Sequence, residues 1–307
     1  MKKIEVKDMK ISKNTTLEEL SKIYFDSGGF TSKKVGVAKK VMEKMFEEKE
    51  CIKILSFPAA IISTGTRGII KDLIKEKKFD LVMTTCGTLD HDFARIYEKY
   101  LHGSFDADDK KLHQEKVHRL GNIFIPMEAY GEIIEEKLQP ILKEIYDSGR
   151  KELATYELVW EIGKRLKDEN SIIYWSYKNK IPLIIPGITD GAFGLQLTIF
   201  MQTHKDFRVD VFKDEQFLVD KLFSAGKTGA LMIGGGISKH HVIWWNQFKG
   251  GLDYAVYITT APEWDGSLSG AKIKEGISWG KVRENASFVT VEGEATIILP
   301  LIIGPFL

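Results

Sequence analysis

The chain alternates between short apolar runs and longer amphipathic stretches. Thr16 followed by Glu18 and Glu19 has the character of a helix start, and Ser27-Gly28-Gly29-Phe30 breaks that helix. From Thr31 to Glu48 the positions Val35, Val37, Val41, Met42, Met45 and Phe46 fall on one helical face, with lysines opposite. Beyond this the period switches repeatedly. Ile52–Phe57, Asp80–Thr85, part of Gly121–Pro126, Ile181–Ile185, Val209–Phe212, Ala230–Ile233 and Tyr254–Thr259 read as strands. Ser63–Lys77, Glu128–Tyr146, Tyr156–Leu166, a run from Asp190, and Ile237–Phe248 read as helices. Strand, turn and helix in this order predict an α/β fold, with a Rossmann-like, doubly wound, mostly parallel sheet and helices on both faces. Residues 1–48 are expected as an N-terminal helical extension packed on it, and 1–307 as a single domain.

Composition narrows the class. The 307 residues are 43% hydrophobic and 28% charged, enough for a sizeable core beneath a solvated surface. A net charge of +1 removes the broad basic field of a nucleic-acid binder, so no nucleic-acid partner is expected. Two cysteines, Cys51 and Cys86, point to free thiols in a reducing compartment rather than a disulfide framework. No charged-then-apolar leader follows Met1-Lys2-Lys3, and no stretch approaches the ~18 apolar residues of a membrane span. A cytoplasmic protein without a membrane partner is expected. The most polar stretch, His102 to Arg119, reads as a solvated excursion, with docking of a partner as the alternative.

Ligands of such sheets gather at the carboxyl ends of strands. Small and hydroxyl residues stand there: Ser63-Thr64-Gly65, Thr84-Thr85-Cys86-Gly87, Thr189-Asp190-Gly191, Gly234-Gly235-Gly236 and Thr259-Thr260-Ala261. The run Ile233-Gly234-Gly235-Gly236-Ile237 would let a phosphate approach backbone N–H groups at a helix start, although a tight turn alone also explains it. His240 and His241 are adjacent on a helix and point about 100° apart, so a shared metal is not expected. Either could instead serve as a base or simply be structural. The run Thr259 to Ala271 carries Glu263, Asp265 and Trp264, groups suited to an aliphatic polycation or to an ordinary surface turn. In Ser278-Trp279-Gly280-Lys281 a lysine sits beside an indole. An imine-forming lysine must lose its proton to attack, which desolvation and a nearby cation both favour.

Together these segments resemble the deoxyhypusine synthase family. The resemblance rests on Gly234-Gly235-Gly236-Ile237-Ser238-Lys239-His240-His241, Asp253 to Ile258, Asp265-Gly266-Ser267 with Ser269-Gly270-Ala271, and Ser278-Trp279-Gly280-Lys281-Val282-Arg283. It extends upstream through Gly29-Phe30, Gly121-Asn122 with Pro126, Tyr174-Trp175 with Lys178-Asn179, and Thr189-Asp190-Gly191, covering nearly the whole chain. The resemblance implies an NAD-dependent transferase. It would oxidise spermidine beside its secondary amine, carry the 4-aminobutyl group as an imine on Lys281, and deliver it to a lysine of translation initiation factor 5A. Carried over by position, NAD would touch Ser63, Thr84, Thr85, Cys86, Asp190, Gly235, Thr260, Ala261, Asp265, Glu294 and Ala295. The amine would meet His240, Gly266, Glu275, Trp279 and Lys281, with Asp90 a further candidate and His240 the base. A homotetramer with sites at dimer interfaces is also implied.

The chain departs from the family pattern at defined places. Leu195 and Leu268 stand where acids hold the amine ends of spermidine, and Ala59-Ala60 replace a Ser-Asn pair. Thr84 to Asp92 replaces a Gly-Gly turn followed by two glutamates. A buried ammonium needs compensation, so either Asp90, Asp92, Glu263 and Glu275 take over or the amine differs. Two other functions follow as alternatives: a homospermidine synthase-like or agmatine-using aminobutyl transferase, and a silent NAD-binding regulatory subunit.

Overall fold

The computed structural model describes residues 4–307. The chain divides into two compact units, one of the residues up to Phe57 with Val219–Leu307, the other Pro58–Leu218. The class is α/β, built on parallel strands flanked by helices. No helix of the described residues is long and apolar enough to cross a membrane.

The first unit carries four parallel strands in the order Val282–Glu292, Leu252–Thr259, Lys227–Ile233, Cys51–Ser56. The two inner strands are buried nearly throughout, as a sheet covered on both faces requires. Two contacts show which helices cover it. Met45, on the helix Phe30–Glu47, lies where a Cβ on Gly229 would point, beside Tyr254. Lys239, on the helix Gly236–Gln247, lies over the ring of Tyr257, 3.7 Å from its centroid. Tyr254 and Tyr257 are three apart on one strand and so face opposite sides. The helix predicted from Thr16 runs Leu17–Ser27. The Thr16 hydroxyl accepts from the N–H of Glu19, and the Glu19 carboxylate accepts from the N–H of Thr16. Gly28 ends it at φ 70°.

The second unit pairs Leu81–Met83 with Leu183–Ile184 in parallel, Val82 opposite Leu183. The polar stretch after His102 folds as an antiparallel excursion of Leu101–His102, Val117–Leu120 and Ile123–Pro126. It is tied by Arg119 donating to both oxygens of Asp109 at 2.6 and 2.7 Å. The strand predicted at Val209–Phe212 is shorter than expected. Arg208–Val209 pairs with Glu152–Leu153, and a helix begins at Val211. Among the elements outside the predicted pattern are the helices Cys86–Tyr97, Ile172–Asn179, Val211–Phe223 and Ala295–Ile303 and the strand Val282–Glu292. Both cysteines are buried and neither is in a disulfide.

Candidate active site

In the first unit three of the predicted cofactor stretches are neighbours. The parallel register sets Ile233 beside Ile258, and Thr259 beside Glu292. The ladder then continues into the loops: the N–H of Gly234 donates to Ile258 O at 2.8 Å, and that of Gly293 to Thr259 O at 2.9 Å. Gly235, Thr260, Ala261, Glu294 and Ala295 thus share the carboxyl edge of one sheet. The glycine run has a reason at each position. Gly234 and Gly236 adopt φ 64° and 68°, the left-handed region that glycine enters without penalty. A Cβ on Gly235 would stand 2.1 Å from Ser269 Oγ, so the loop after Thr259 packs directly on its backbone. Beside Gly236 the space is open. Glu294 is exposed and caps the helix Ala295–Ile303 through Thr296 N. The exposed Asp265 accepts from Ser267 N at 2.7 Å, and the hydrogen bonds from Ser267 hold its carboxyl below the usual range.

Gly235→Ala is expected to destabilise the protein by about 1–3 kcal/mol, as overpacking does. Urea unfolding checks this, and an unchanged midpoint would contradict the close approach.

The loop that covers Gly235 is fixed from below. Ser269 O accepts from the hydroxyls of Tyr257 and Thr259, at 2.5 and 2.9 Å. The fully buried ammonium of Lys239 donates to Leu268 O and Ala271 O, each at 2.7 Å. Desolvation, assisted by the charge of Lys281, pushes the Lys239 pKa down to about 8. The sequence reading assigned Lys239 no role. Its position among the buried Ser238, Val242 and Ile243 was the available signal.

Lys281 stands at the amino end of the strand Val282–Glu292. Its backbone is held on both sides, its N–H donating to Gly276 O at 2.8 Å and its C=O accepting from Leu252 N at 3.0 Å. Gly280 precedes it at φ 69°, and the Ser278 hydroxyl donates to Glu275 O at 2.9 Å, closing the turn. The Lys281 side chain is buried in a cavity of about 40 Å³ lined also by Lys239, Ile243, Leu268, Glu275 and Trp279. Its Nζ lies 5.1 Å from the Trp279 ring centroid. His240 is half-buried and stacks on Trp244, ring centroids 5.8 Å apart. Its pKa is lowered, by desolvation first and by the Lys281 charge second. Lys281, Trp279, Glu275 and the Leu268 carbonyl therefore converge, with His240 within electrostatic reach.

Within the second unit, several of the predicted ligands are committed to the fold. Asp90 is buried. It accepts from the Tyr130 hydroxyl at 2.7 Å and from the N–H groups of Ala192 and Phe193 at 3.0 and 2.8 Å, capping the helix Ala192–Thr203. Gly191 is required there, because a Cβ would meet Asp90 Oδ2 at 2.7 Å and Cys86 Sγ at 2.8 Å. Burial raises the Asp90 carboxyl pKa, against the hydrogen bonds. Cys86 is pushed up to about 12 by desolvation and then by Asp90, so it holds its proton. Thr84 is buried, its hydroxyl bonded to that of Thr88 at 2.6 Å, and the Ser63 hydroxyl donates to Ala60 O at 2.7 Å. Thr85 Oγ1 accepts from Ala59 N at 3.2 Å, and Asp190 is exposed. Asp92, fully buried, accepts from Arg67 Nε, the Ser171 hydroxyl and Ile173 N. Glu263, on the loop of the first unit, pairs with Lys272 at 2.7 Å.

Parallel strands with helices on both faces define an α/β protein, and its first unit holds a buried lysine beside an indole. The deoxyhypusine synthase profile matches residues 19–305. A Picrophilus torridus protein described as "Probable deoxyhypusine synthase" is 57% identical over 302 residues, covering 98% of this chain and 96% of its own. One from Thermoplasma volcanium, described in the same words, is 53% identical, covering 98% and 97%. The crystal structure of an Entamoeba histolytica protein described as "a putative deoxyhypusine synthase" superposes with a TM-score of 0.71 at 24% identity, covering 98% and 96%. The chain belongs to the deoxyhypusine synthase family. It is a transferase.

Proposed function

We propose that this transferase moves the 4-aminobutyl group of spermidine to a lysine of translation initiation factor 5A, with NAD as cofactor and Lys281 as covalent carrier. The observation that carries the reading is the burial of Lys281 against Trp279 in a narrow pocket, with His240 nearby. Three features suit a dinucleotide. Open space beside Gly236 adjoins the start of a 12-residue helix, whose first N–H groups favour an anion. Thr260 is exposed on the adjoining strand end. Asp265 and Glu294 offer exposed carboxylates for ribose hydroxyls.

NAD, held by residues such as Gly235, Thr260, Asp265 and Glu294, would supply a reversible hydride acceptor for the carbon beside the secondary nitrogen of spermidine. The residues of the chain do the rest. His240, its pKa lowered, is neutral near pH 7 and able to take a proton. Lys281 Nζ attacks the oxidised carbon, displaces 1,3-diaminopropane and keeps the aminobutyl group as an imine. The acceptor lysine then exchanges with Lys281.

A homotetramer with sites at dimer interfaces belongs to the proposal. The carbonyl of Lys281 pairs with Leu252, whereas Thr260 follows the other end of that same strand. The strand puts ~23 Å between those ends at ~3.3 Å per residue. Leu268 and Ser269, adjacent on one loop, nevertheless bring the pocket wall and the Gly235 turn together within one copy, so the oligomeric site rests on the family resemblance.

Incubation with NAD+, labelled spermidine and the factor 5A precursor should label the precursor. No label in the presence of all three would end the proposal. A second reading keeps the imine chemistry and changes the amine, as in homospermidine synthesis or agmatine use. It is favoured by Leu268 on the pocket wall and by Leu195, which is exposed. A screen of amine donors and acceptors separates the two, since turnover confined to spermidine and factor 5A excludes the second.

A further inference from the structure

The Lys281 cavity has the wrong charge for a polyamine. Its lining holds Lys239, Lys272 and Lys281 against Glu275 alone. Lys272 is paired with Glu263, and Lys239 is held by two carbonyls, yet both remain cationic neighbours. Leu268 supplies a carbonyl to Lys239 and an apolar side chain to the pocket wall. A second ammonium group entering here meets one carboxylate of this copy, Glu275. Desolvating it without another partner is costly.

The neighbouring surface offers that partner. On the helix Gly236–Gln247, Trp244 stands one turn after His240 and shares its face. The two rings lie nearly parallel, 20° apart. Trp244 is 41% exposed and Trp279 is 60% exposed, so two large indoles are presented to solvent on the segments that carry His240 and Lys281. Ile243, the residue before Trp244, lines the cavity itself. The Trp244 ring is further fixed by Phe248, edge-on with centroids 5.1 Å apart. An exposed indole, held by two aromatic contacts on the helix whose Ile243 lines this carboxylate-poor pocket, is suited to an ammonium ion through its π face.

We propose that Trp244 is a specificity-determining residue of the amine site, its indole face taking an ammonium group of the aliphatic polyamine where this copy supplies no second carboxylate. This rests on the reading of the Lys281 pocket as the amine site. It makes the site selective for amines carrying a second positive charge at a distance, and indifferent to neutral tails.

The test uses the full-length enzyme with saturating NAD+ and factor 5A precursor, and varies spermidine. Trp244→Leu is expected to raise KM for spermidine roughly tenfold, the scale of a partly desolvated cation–π contact, with kcat changed less than about twofold. Trp244→Phe, which keeps an aromatic face, should stay within about threefold of the unaltered KM. Inhibition by an aliphatic diamine and by the monoamine of equal length gives a readout that a structural role would not move. The unaltered enzyme should prefer the diamine, and Trp244→Leu should lose that preference. An unmoved KM, a fall in kcat in its place, or retained diamine preference in Trp244→Leu each overturns the proposal. Absence of any turnover of spermidine by the unaltered enzyme overturns instead the proposed function beneath it.

Discussion

Lys281→Ala should lower transfer to the factor 5A precursor by on the order of 10³-fold or more, the scale seen when a covalent nucleophile is removed. Lys281→Arg should fail nearly as badly, because a guanidinium stays protonated and cannot form the imine. The loss must be chemical rather than structural. The backbone of Lys281 is fixed by Gly276 and Leu252, so the variant should keep its thermal midpoint to within a few degrees. Borohydride added during turnover should fix an aminobutyl group on the peptide containing Lys281, and none on the alanine variant. Undiminished transfer by Lys281→Ala, or a trapped adduct on another lysine, would remove Lys281 from the mechanism.

The largest effect on stability should come from Asp92→Ala. Asp92 is fully buried and joins three partners, Arg67 Nε at 2.7 Å, the Ser171 hydroxyl at 2.7 Å and Ile173 N at 3.0 Å. Truncation leaves the buried Arg67 guanidinium without its carboxylate, and the start of the helix Ile172–Asn179 without its acceptor. Breaking one side of such a pair costs about 3–5 kcal/mol. Urea unfolding of the full chain measures it, and a change below about 1 kcal/mol would show that the pair adds little. Asp92→Asn keeps an acceptor oxygen and should lose less. The sequence reading offered Asp92 as an amine ligand; its three bonds leave that role to other groups.

Periodicity predicted the helices and strands whose burial follows from one element alone. Val35, Val41, Met42 and Met45 face inward on the helix Phe30–Glu47, as their spacing requires. The inner strands read correctly because both their faces are apolar. The helix Cys86–Tyr97 did not, since Asp90, His91 and Asp92 look like solvated residues until Tyr130, Tyr100 and Arg67 are brought to them from elsewhere in the chain. The strand Val282–Glu292 was hidden for a related reason. Its first half is polar, and its register to the strand Leu252–Thr259 shifts between Leu252 and Tyr254.

The motif Ser278-Trp279-Gly280-Lys281 was legible from the start, because a lysine flanked by a glycine and an indole is odd on a solvated face. The glycine run Gly234 to Gly236 was legible as a strand-to-helix turn, but the left-handed backbone and the approach of Ser269 that require glycine there came only with the structure. The sequence by itself therefore determined the family, the α/β class and the lysine on which the chemistry is proposed to turn. Tertiary structure alone decided which charges are free to meet a ligand. Asp90 and Asp92 are held by distant N–H, hydroxyl and guanidinium groups, Lys239 by two loop carbonyls, and Trp244 stands exposed beside His240. A side chain's availability depends on partners far away along the chain, and those distances are set only when the units fold.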